Sequence, residues 1–116
     1  MTLCTTDKDL VNQISKFIRQ NFSFERVQNQ SVYSFVKTKQ GTCHHYASLF
    51  NDMCNAVGIN CEYLYCQNIQ STASHAINRV TINGHTYYFD LSSNDVSNTN
   101  KYSWMSEEEI RKLCTW

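Results

Sequence analysis

The sequence carries no excess of charge of either sign. Its 116 residues include 10 Lys and Arg against 10 Asp and Glu, and only 17% of them are charged. Since no basic stripe is present, we expect neither nucleic acid nor an anionic membrane as a partner. No apolar run approaches the roughly 20 residues that span a bilayer, and residues 1–8 lack a signal-peptide pattern. We therefore expect a chain without a membrane segment, either cytoplasmic or a processed, exported domain.

The sequence also lacks any Cys-x-x-Cys pair, although it contains six cysteines. This spacing argues against a structural zinc site. An even count leaves a disulfide framework open, but buried free thiols are the commoner outcome for cysteines on a helical stripe or in a strand-like run. The six are Cys4, Cys43, Cys54, Cys61, Cys66 and Cys114. We predict no metal and no cofactor.

No repeat, linker or low-complexity segment divides the chain. A length of 116 residues supports one domain with a hydrophobic core and is too short for two, so we expect a single domain over residues 1–116. Hydrophobic periodicity and turn signals predict helices, then a small antiparallel sheet, then a short helix, which is an α+β fold. The predicted helices cover residues 6–20, 31–37, 43–57 and a short stretch after the capping box at 106–109; the strands cover 59–66, 75–82 and 85–91; residues 92–103 form a long polar loop.

Cys43 begins the central predicted helix. Gly58 follows that helix at the C′ position, where glycine avoids a Cβ penalty at positive φ. The apolar stripe consists of Tyr46, Ala47, Phe50, Met53, Cys54 and Val57. Unpaired N–H groups and the positive end of the helix dipole favour an anion at the first turn, so a thiol there is shifted toward thiolate. Cys43 is therefore a candidate nucleophile, although it could equally be a small apolar residue that starts the stripe.

A hairpin places two further candidates on one face. Asn83-Gly84 lies between two β-rich runs and is the strongest short hairpin signal, because both residues must adopt positive φ. The two-residue turn fixes the register, and the face that includes Val80 is mostly apolar and should be core. On the other, mostly polar face His75 and Asp90 are diagonal neighbours, with Cα atoms on the order of 7–8 Å apart.

These residues are the parts of a nucleophilic site. Cys43 would attack, His75 would move its proton, and Asp90 would hold the imidazole tautomer and stabilise its charged form. The backbone N–H of Cys43 could help to form an oxyanion hole, and Gln40 is the nearest side-chain amide for a second donor. The alternative for His75 and Asp90 is a solvated hairpin face.

The other three histidines are weaker candidates. His44 and His45 adjoin Cys43 in sequence, but neighbours at i+1 and i+2 point away from it on a helix. We expect them to be solvated or at the rim of a cleft. His85 lies at the turn of the hairpin, where we expect it to be exposed.

Three segments match the motifs of a known family in order and spacing. The first has a glycine two places before a helix-starting cysteine, an alanine four places after it, and a Gly-Ile end; it is formed by Gly41, Cys43, Ala47, Gly58 and Ile59. The second, His-Ala-x-Asn-x-Val, is formed by residues 75–80, with Ile77 where an aromatic residue is more usual. The third, an aromatic-rich strand ending in Asp, is formed by residues 87–92, with Asp-Leu-Ser where Asp-Val-Thr or Asp-Pro-Thr is more usual.

Over roughly residues 32–95, which contain these motifs, the sequence resembles the transglutaminase-like superfamily within the papain-like cysteine enzymes. The resemblance implies a catalytic helix docked by its N-terminus on a small curled antiparallel sheet, which brings Cys43 to His75. It also implies acyl transfer through a thioester on a protein or peptide substrate: peptide cleavage, deamidation, or transfer from a Gln carboxamide to an amine. The chain lacks the calcium sites and extra domains of large animal transglutaminases and the zinc arms of the peptide N-glycanase branch, so it resembles the small microbial members.

The leading hypothesis is a cysteine acyl-transfer enzyme with Cys43, His75 and Asp90 as its triad. A peptidase or amidase is favoured over a true transglutaminase, because water is the default acceptor. One alternative is an inactive domain of the same fold that only binds. Another is a small metal or disulfide domain built on Cys54, Cys61, Cys66 and a histidine.

Overall fold

The computed structural model of the protein describes residues 6–25, 31–71 and 73–116. Its helices are α1 Asp7–Asn21, α2 Val32–Thr38, α3 Cys43–Ala56, α4 Leu91–Ser97 and α5 Glu107–Arg111. Its strands are β1 Ser23–Phe24, β2 Gln40–Gly41, β3 Asn60–Asn68, β4 Ser74–Ile82, β5 His85–Phe89 and β6 Cys114–Thr115. No helix within the described residues has the length and apolar character of a membrane span.

The main sheet is antiparallel throughout, with the strand order β5-β4-β3-β6. The turn between β4 and β5 has both central residues in the left-handed region, Asn83 at φ 52° and Gly84 at φ 81°. This geometry matches the right-handed twist of the flanking strands. It pairs Ile82 with His85 and extends the ladder from there. The predicted hairpin register is confirmed.

One face of the sheet is covered by α3, which contacts β3 and β4 and has α1 packed against it. The largest buried side chains of this layer are Tyr46, Phe50, Phe35, Phe89, Ile18, Val11 and Val80. The predicted stripe of α3 is buried at Tyr46, Ala47, Phe50 and Cys54. Val57 is 49% exposed because it lies at the C-cap, beyond the last helical turn, so its prediction as core is wrong. Gly58 follows at φ 82°, as predicted.

The opposite face of the β4–β5 hairpin is covered around Ile77 and Tyr88, so the alternative of a solvated face does not hold there. The C-terminal segment folds back over it: Met105 pairs with Tyr88 through two backbone hydrogen bonds of 2.8 and 3.0 Å. β6 then adds to the edge of β3. The second core consists of Cys66, Ile77, Tyr88, Met105, Ile110 and Cys114. The C-terminal residues Met105, Ile110 and Cys114 thus complete a core on the face of the hairpin that its polar residues had suggested was open.

The predicted loop over residues 92–103 begins with a helix instead. β5 ends at Phe89, and Asp90 is the N-cap of α4, where its side chain accepts a hydrogen bond from the Ser93 backbone N–H at 3.2 Å. Asn94 is fully buried in this helix; its amide accepts from the Tyr102 N–H at 2.8 Å and donates to Ser103 Oγ at 2.9 Å. Polar side chains satisfied by hydrogen bonds replace the apolar stripe that would have signalled a helix.

Candidate active site

Cys43 is the first residue of α3, with Thr42 as its N-cap. The cap is completed by a histidine: the Thr42 N–H donates to His45 Nδ1 at 2.9 Å. His45 is therefore buried rather than solvated or at the rim, and its ring also stacks on Phe35 with centroids 5.6 Å apart. His45 fills the N3 position, where Glu or Gln usually makes this reciprocal contact. The N-terminus of α3, which carries the Cys43 thiol, is thus stabilised by a hydrogen bond between Thr42 and His45.

Gly41 lies just before this turn, at a position where any larger side chain would clash with its neighbours. It is part of β2, which pairs in parallel with β1, and its φ lies outside the left-handed region. A Cβ on Gly41 would lie 2.4 Å from Phe35 Cδ1 and 2.9 Å from His45 Cβ. Real Cβ atoms do not approach other atoms so closely, and Phe35 is fully buried and has no room to move. Glycine is required by close packing beneath the Cys43 helix end.

His75 and Asp90 are joined by a direct hydrogen bond between Nε2 and Oδ2 at 2.7 Å. The same carboxylate accepts from Ser92 Oγ at 3.2 Å and from Ser93 through its N–H at 3.2 Å and its Oγ at 2.7 Å. Asp90 is 3% exposed, so its charge is held by donors instead of water. His75, near the start of β4, keeps 13% of its side chain exposed toward the cleft.

The remaining side of His75 faces Cys43. Nε2 is occupied by Asp90, which leaves Nδ1 as the ring nitrogen available to the Cys43 thiol, and both residues line the same cleft. Burial lowers the pKa of His75, but the hydrogen bond with Asp90 and the interaction with Cys43 outweigh it and raise that pKa to about 10. The imidazole is therefore protonated at neutral pH. The structure brings all three predicted site residues, Cys43, His75 and Asp90, to one place.

Asn78 fixes the distance between the helix and the strand that carry these residues. It is 1% exposed, and its Nδ2 donates to the Ala47 carbonyl of α3 at 2.9 Å. It also reaches the Glu62 carbonyl of β3 at 3.4 Å. A buried amide with these partners ties α3 to β3 and β4 one turn beyond Cys43.

A cleft of about 590 Å³ opens over Cys43 and His75, whereas Asp90 lies behind His75 and does not line it. Its wall includes Cys43 and His44 on the α3 side and Val96 and Tyr102 on the α4 side. Gln40 is absent from this wall; it pairs with Ser23 in the two-stranded β1–β2 unit. This position does not support Gln40 as the second oxyanion donor.

His44 lies at the rim of the cleft beside the thiol. Its Nδ1 is 2.6 Å from the Tyr63 hydroxyl, and its ring stacks on Tyr65 with centroids 5.6 Å apart. Burial lowers the pKa of His44, and the nearby His75 and His45 lower it further. A neutral His44 and two tyrosines of β3 therefore form an aromatic wall next to Cys43. His85 is exposed at the hairpin turn, as predicted.

The four described cysteines other than Cys43 lie in two separate cores. All five described cysteines are free thiols, and Cys4 lies outside the described residues. Cys54 and Cys61 belong to the core of the α3 layer, whereas Cys66 and Cys114 belong to the second core. Within the part of the chain that the structure describes, no three His, Cys, Asp or Glu side chains are placed to share a metal ion. Cys54, Cys61 and Cys66 thus do not form the cluster that the metal alternative requires.

Sequence reasoning missed three supporting residues. Asn78 was a polar residue at a predicted core position, which by itself signals a buried hydrogen-bond partner. Ser93 lies three residues after Asp90, the spacing by which an N-cap carboxylate accepts from N3. Tyr63 had no local signal, because its contact with His44 joins a strand to a helix.

Solved structures share this fold at low sequence identity. A candidate cysteine protease from Cytophaga hutchinsonii is 18% identical over 90% of this chain and 33% of its own, with a TM-score of 0.64. A TGase is 14% identical over 92% and 32%, with a TM-score of 0.67. EGTA-treated LapG of Legionella pneumophila is 14% identical over 94% and 61%, with a TM-score of 0.68. The chain therefore spans from a third to three fifths of these proteins. They confirm the predicted fold, a helix on a curled antiparallel sheet.

A comparison with curated proteins found no match. The family described as the transglutaminase-like superfamily matches residues 1–106, which is most of the chain. This match extends well beyond the motif-bearing residues 32–95. The chain belongs to the transglutaminase-like superfamily.

Proposed function

We propose that the protein is a cysteine-dependent acyl-transfer enzyme that acts on peptide or carboxamide bonds through a thioester, with Cys43, His75 and Asp90 as its triad. The observation that carries the proposal is the position of His75, which lies 2.7 Å from Asp90 through Nε2 and lines the same cleft as Cys43. Membership of the superfamily and structural neighbours named as a candidate cysteine protease and a TGase support a cysteine enzyme in general.

The geometry supports a definite sequence of proton transfers. The charged imidazole beside Cys43 stabilises its thiolate, which attacks the carbonyl carbon of the substrate. His75 then gives its Nδ1 proton to the departing amine or ammonia, and the acyl group stays on Sγ as a thioester. An incoming water or amine loses its proton to His75 as it attacks the thioester, and the Cys43 thiolate leaves. Asp90 keeps the imidazole in one orientation in both half-reactions.

The oxyanion formed in each step needs donors near Cys43. The Cys43 backbone N–H is at the first position of α3, where no carbonyl of the helix can accept from it. The dipole of the helix adds to the stabilisation. Hydrolysis is the favoured outcome, because water enters the cleft without a dedicated site whereas an amine requires one.

The proposal is tested by the reactivity of the thiols. We expect iodoacetamide at pH 7 to modify Cys43 fastest in the native protein, while Cys54, fully buried, stays unmodified until unfolding. His75→Ala should slow the modification of Cys43 by roughly tenfold or more, since it removes the charge that holds the thiolate. Peptide mass spectrometry reads each cysteine separately. If Cys43 reacts as slowly as Cys54, the catalytic proposal is wrong, and a binding domain of the same fold is the better description.

The substrate class is tested with peptides containing Gln and Asn. Release of ammonia without a new N-terminus indicates amidase or deamidase activity, new N-termini indicate peptidase activity, and incorporation of a labelled amine indicates transfer. Cys43→Ser should abolish whichever product forms.

A further inference from the structure

A second cavity, which shares no lining residue with the cleft, lies between α1 and the segment that follows α4. Its volume is about 540 Å³, within the range of small-molecule sites. Two cations of α1, Lys16 and Arg19, line it, and no carboxylate of the described residues does. The cavity therefore carries two cations that form no ion pair with a described carboxylate.

Arg19 has a donor that the described residues do not satisfy. Its Nη1 donates to Asn100 Oδ1, but its Nε is buried and donates to no acceptor among the described residues. Burying a charged donor without a partner is costly, and native proteins rarely do so unless a water or ion is bound. A guanidinium group donates to carboxylate or phosphate oxygens through a planar fork of N–H groups.

The neighbouring amides also present donors. Asn100 Oδ1 is occupied by Arg19, and Asn12 Oδ1 accepts from Trp104 Nε1 at 2.8 Å. In both amides the oxygen is thus satisfied by a protein donor, which leaves the Nδ2 group to donate. Together with the two cations, these amides present donors to a cavity whose other polar residues are Ser15, Gln20 and Ser103, and a ligand that matches the donors must supply acceptors.

We propose that this cavity binds a small oxyanion, a carboxylate or phosphate group carried by an organic molecule, with Arg19 as its principal contact and Lys16 as a second charge. The cavity is larger than inorganic phosphate alone, so it has room for the attached group. The proposal does not rest on the catalytic role of Cys43.

Calorimetric titration of the whole chain with inorganic phosphate and, separately, with citrate tests the proposal at constant ionic strength, with chloride as the reference anion. We expect saturable binding of at least one of them with a dissociation constant of roughly 1 mM or tighter. Arg19→Gln should weaken binding by roughly tenfold or more, and Arg19→Lys less, because the charge stays while the fork is lost. Preference for phosphate or for citrate tells the two ligand sources apart.

Two further variants keep the result decisive. Lys16→Gln should weaken binding even if Arg19→Gln proves too unstable to test, because Lys16 lies on the exposed side of α1. Arg111→Gln, at the exposed end of α5, is the matched control and should bind as wild type. Failure of both anions to bind above the chloride reference, or binding unaffected by Arg19→Gln and Lys16→Gln, overturns the proposal.

Discussion

Asp90 holds His75 from a position outside the sheet. Its Oδ2 lies 2.7 Å from His75 Nε2, yet the paired residues of β5 end at Phe89. Asp90 is the N-cap of α4, and the carboxylate that begins this helix also accepts from the imidazole. One side chain thus couples the start of a helix to the orientation of His75.

Asp90→Asn should separate these two roles. Asparagine is a good N-cap, so α4 should remain, but the neutral amide no longer favours the charged imidazole. We expect the alkylation of Cys43 at pH 7 to slow by roughly tenfold. Circular dichroism and urea unfolding check that the fold persists. Ser93→Ala is the control: it removes one donor to Asp90 but keeps the His75 contact, and should alkylate near the wild-type rate. Equal rates for Asp90→Asn and wild type would show that Asp90 does not act on the site.

The protonation of His75 should make stability depend on pH. Its pKa is about 10 in the folded protein against an ordinary 6.5, so its charged contacts stabilise the fold fully below pH 6.5 and are lost as the pH rises through 10. We therefore expect the difference in unfolding free energy between wild type and His75→Gln to shrink by at least about 1 kcal/mol from pH 6 to pH 10.5. Urea unfolding at several pH values measures it.

His85→Gln is the control for this titration, since His85 is exposed at the hairpin turn. It should differ from wild type by the same small amount at every pH. A difference for His75→Gln that stays constant or grows with pH would contradict the charged pair.

Local signals predicted the parts of the site, and long-range packing decided how they meet. The Asn83-Gly84 turn was enough to predict the register that puts His75 and Asp90 near each other. It could not show that the chain leaves the ladder after Phe89, because Asp90 competes for that backbone as an N-cap. The turn also could not show that Met105, Ile110 and Cys114, more than fifteen positions away, pack over Ile77 and Tyr88.

The first turn of α3 shows the same limit. Periodicity located Cys43 at the helix start, but the roles of Gly41 and His45 depend on Phe35 of another helix. No pattern within residues 40–58 contains that information. The approach of Cys43 to His75 likewise follows from the docking of α3 on β4, which the resemblance implied and periodicity could not.

Asn78→Leu should weaken the contact between α3 and the sheet. Leucine has a similar volume but cannot donate to the Ala47 carbonyl, to which Asn78 Nδ2 now donates at 2.9 Å. We expect a loss of about 1–3 kcal/mol in unfolding free energy, together with slower alkylation of Cys43. Asn55→Ala is a suitable control, because it removes an amide that also bonds a β3 carbonyl, Cys61 at 3.1 Å, but at the far end of α3. It should lower stability without changing the reactivity of Cys43.

Gly41→Ala should disturb the site through packing alone. The added Cβ would meet Phe35 Cδ1 at 2.4 Å and His45 Cβ at 2.9 Å, and neither buried group can yield without moving the start of α3. Overpacking of this kind typically costs about 1–3 kcal/mol. We expect that loss in urea unfolding, with reduced Cys43 alkylation because the thiol shifts relative to His75.

A second substitution can show whether Gly41→Ala is harmful because its Cβ clashes with Phe35 or because the backbone needs glycine at this position. Phe35→Leu removes the ring atoms nearest Gly41, so the double variant Gly41→Ala/Phe35→Leu should be less destabilised than the sum of the two single variants. If glycine were needed for its backbone freedom, the two effects would simply add, since shortening Phe35 does nothing for a strained φ. An additive result would therefore contradict the packing explanation, and recovered alkylation of Cys43 in the double variant would support it.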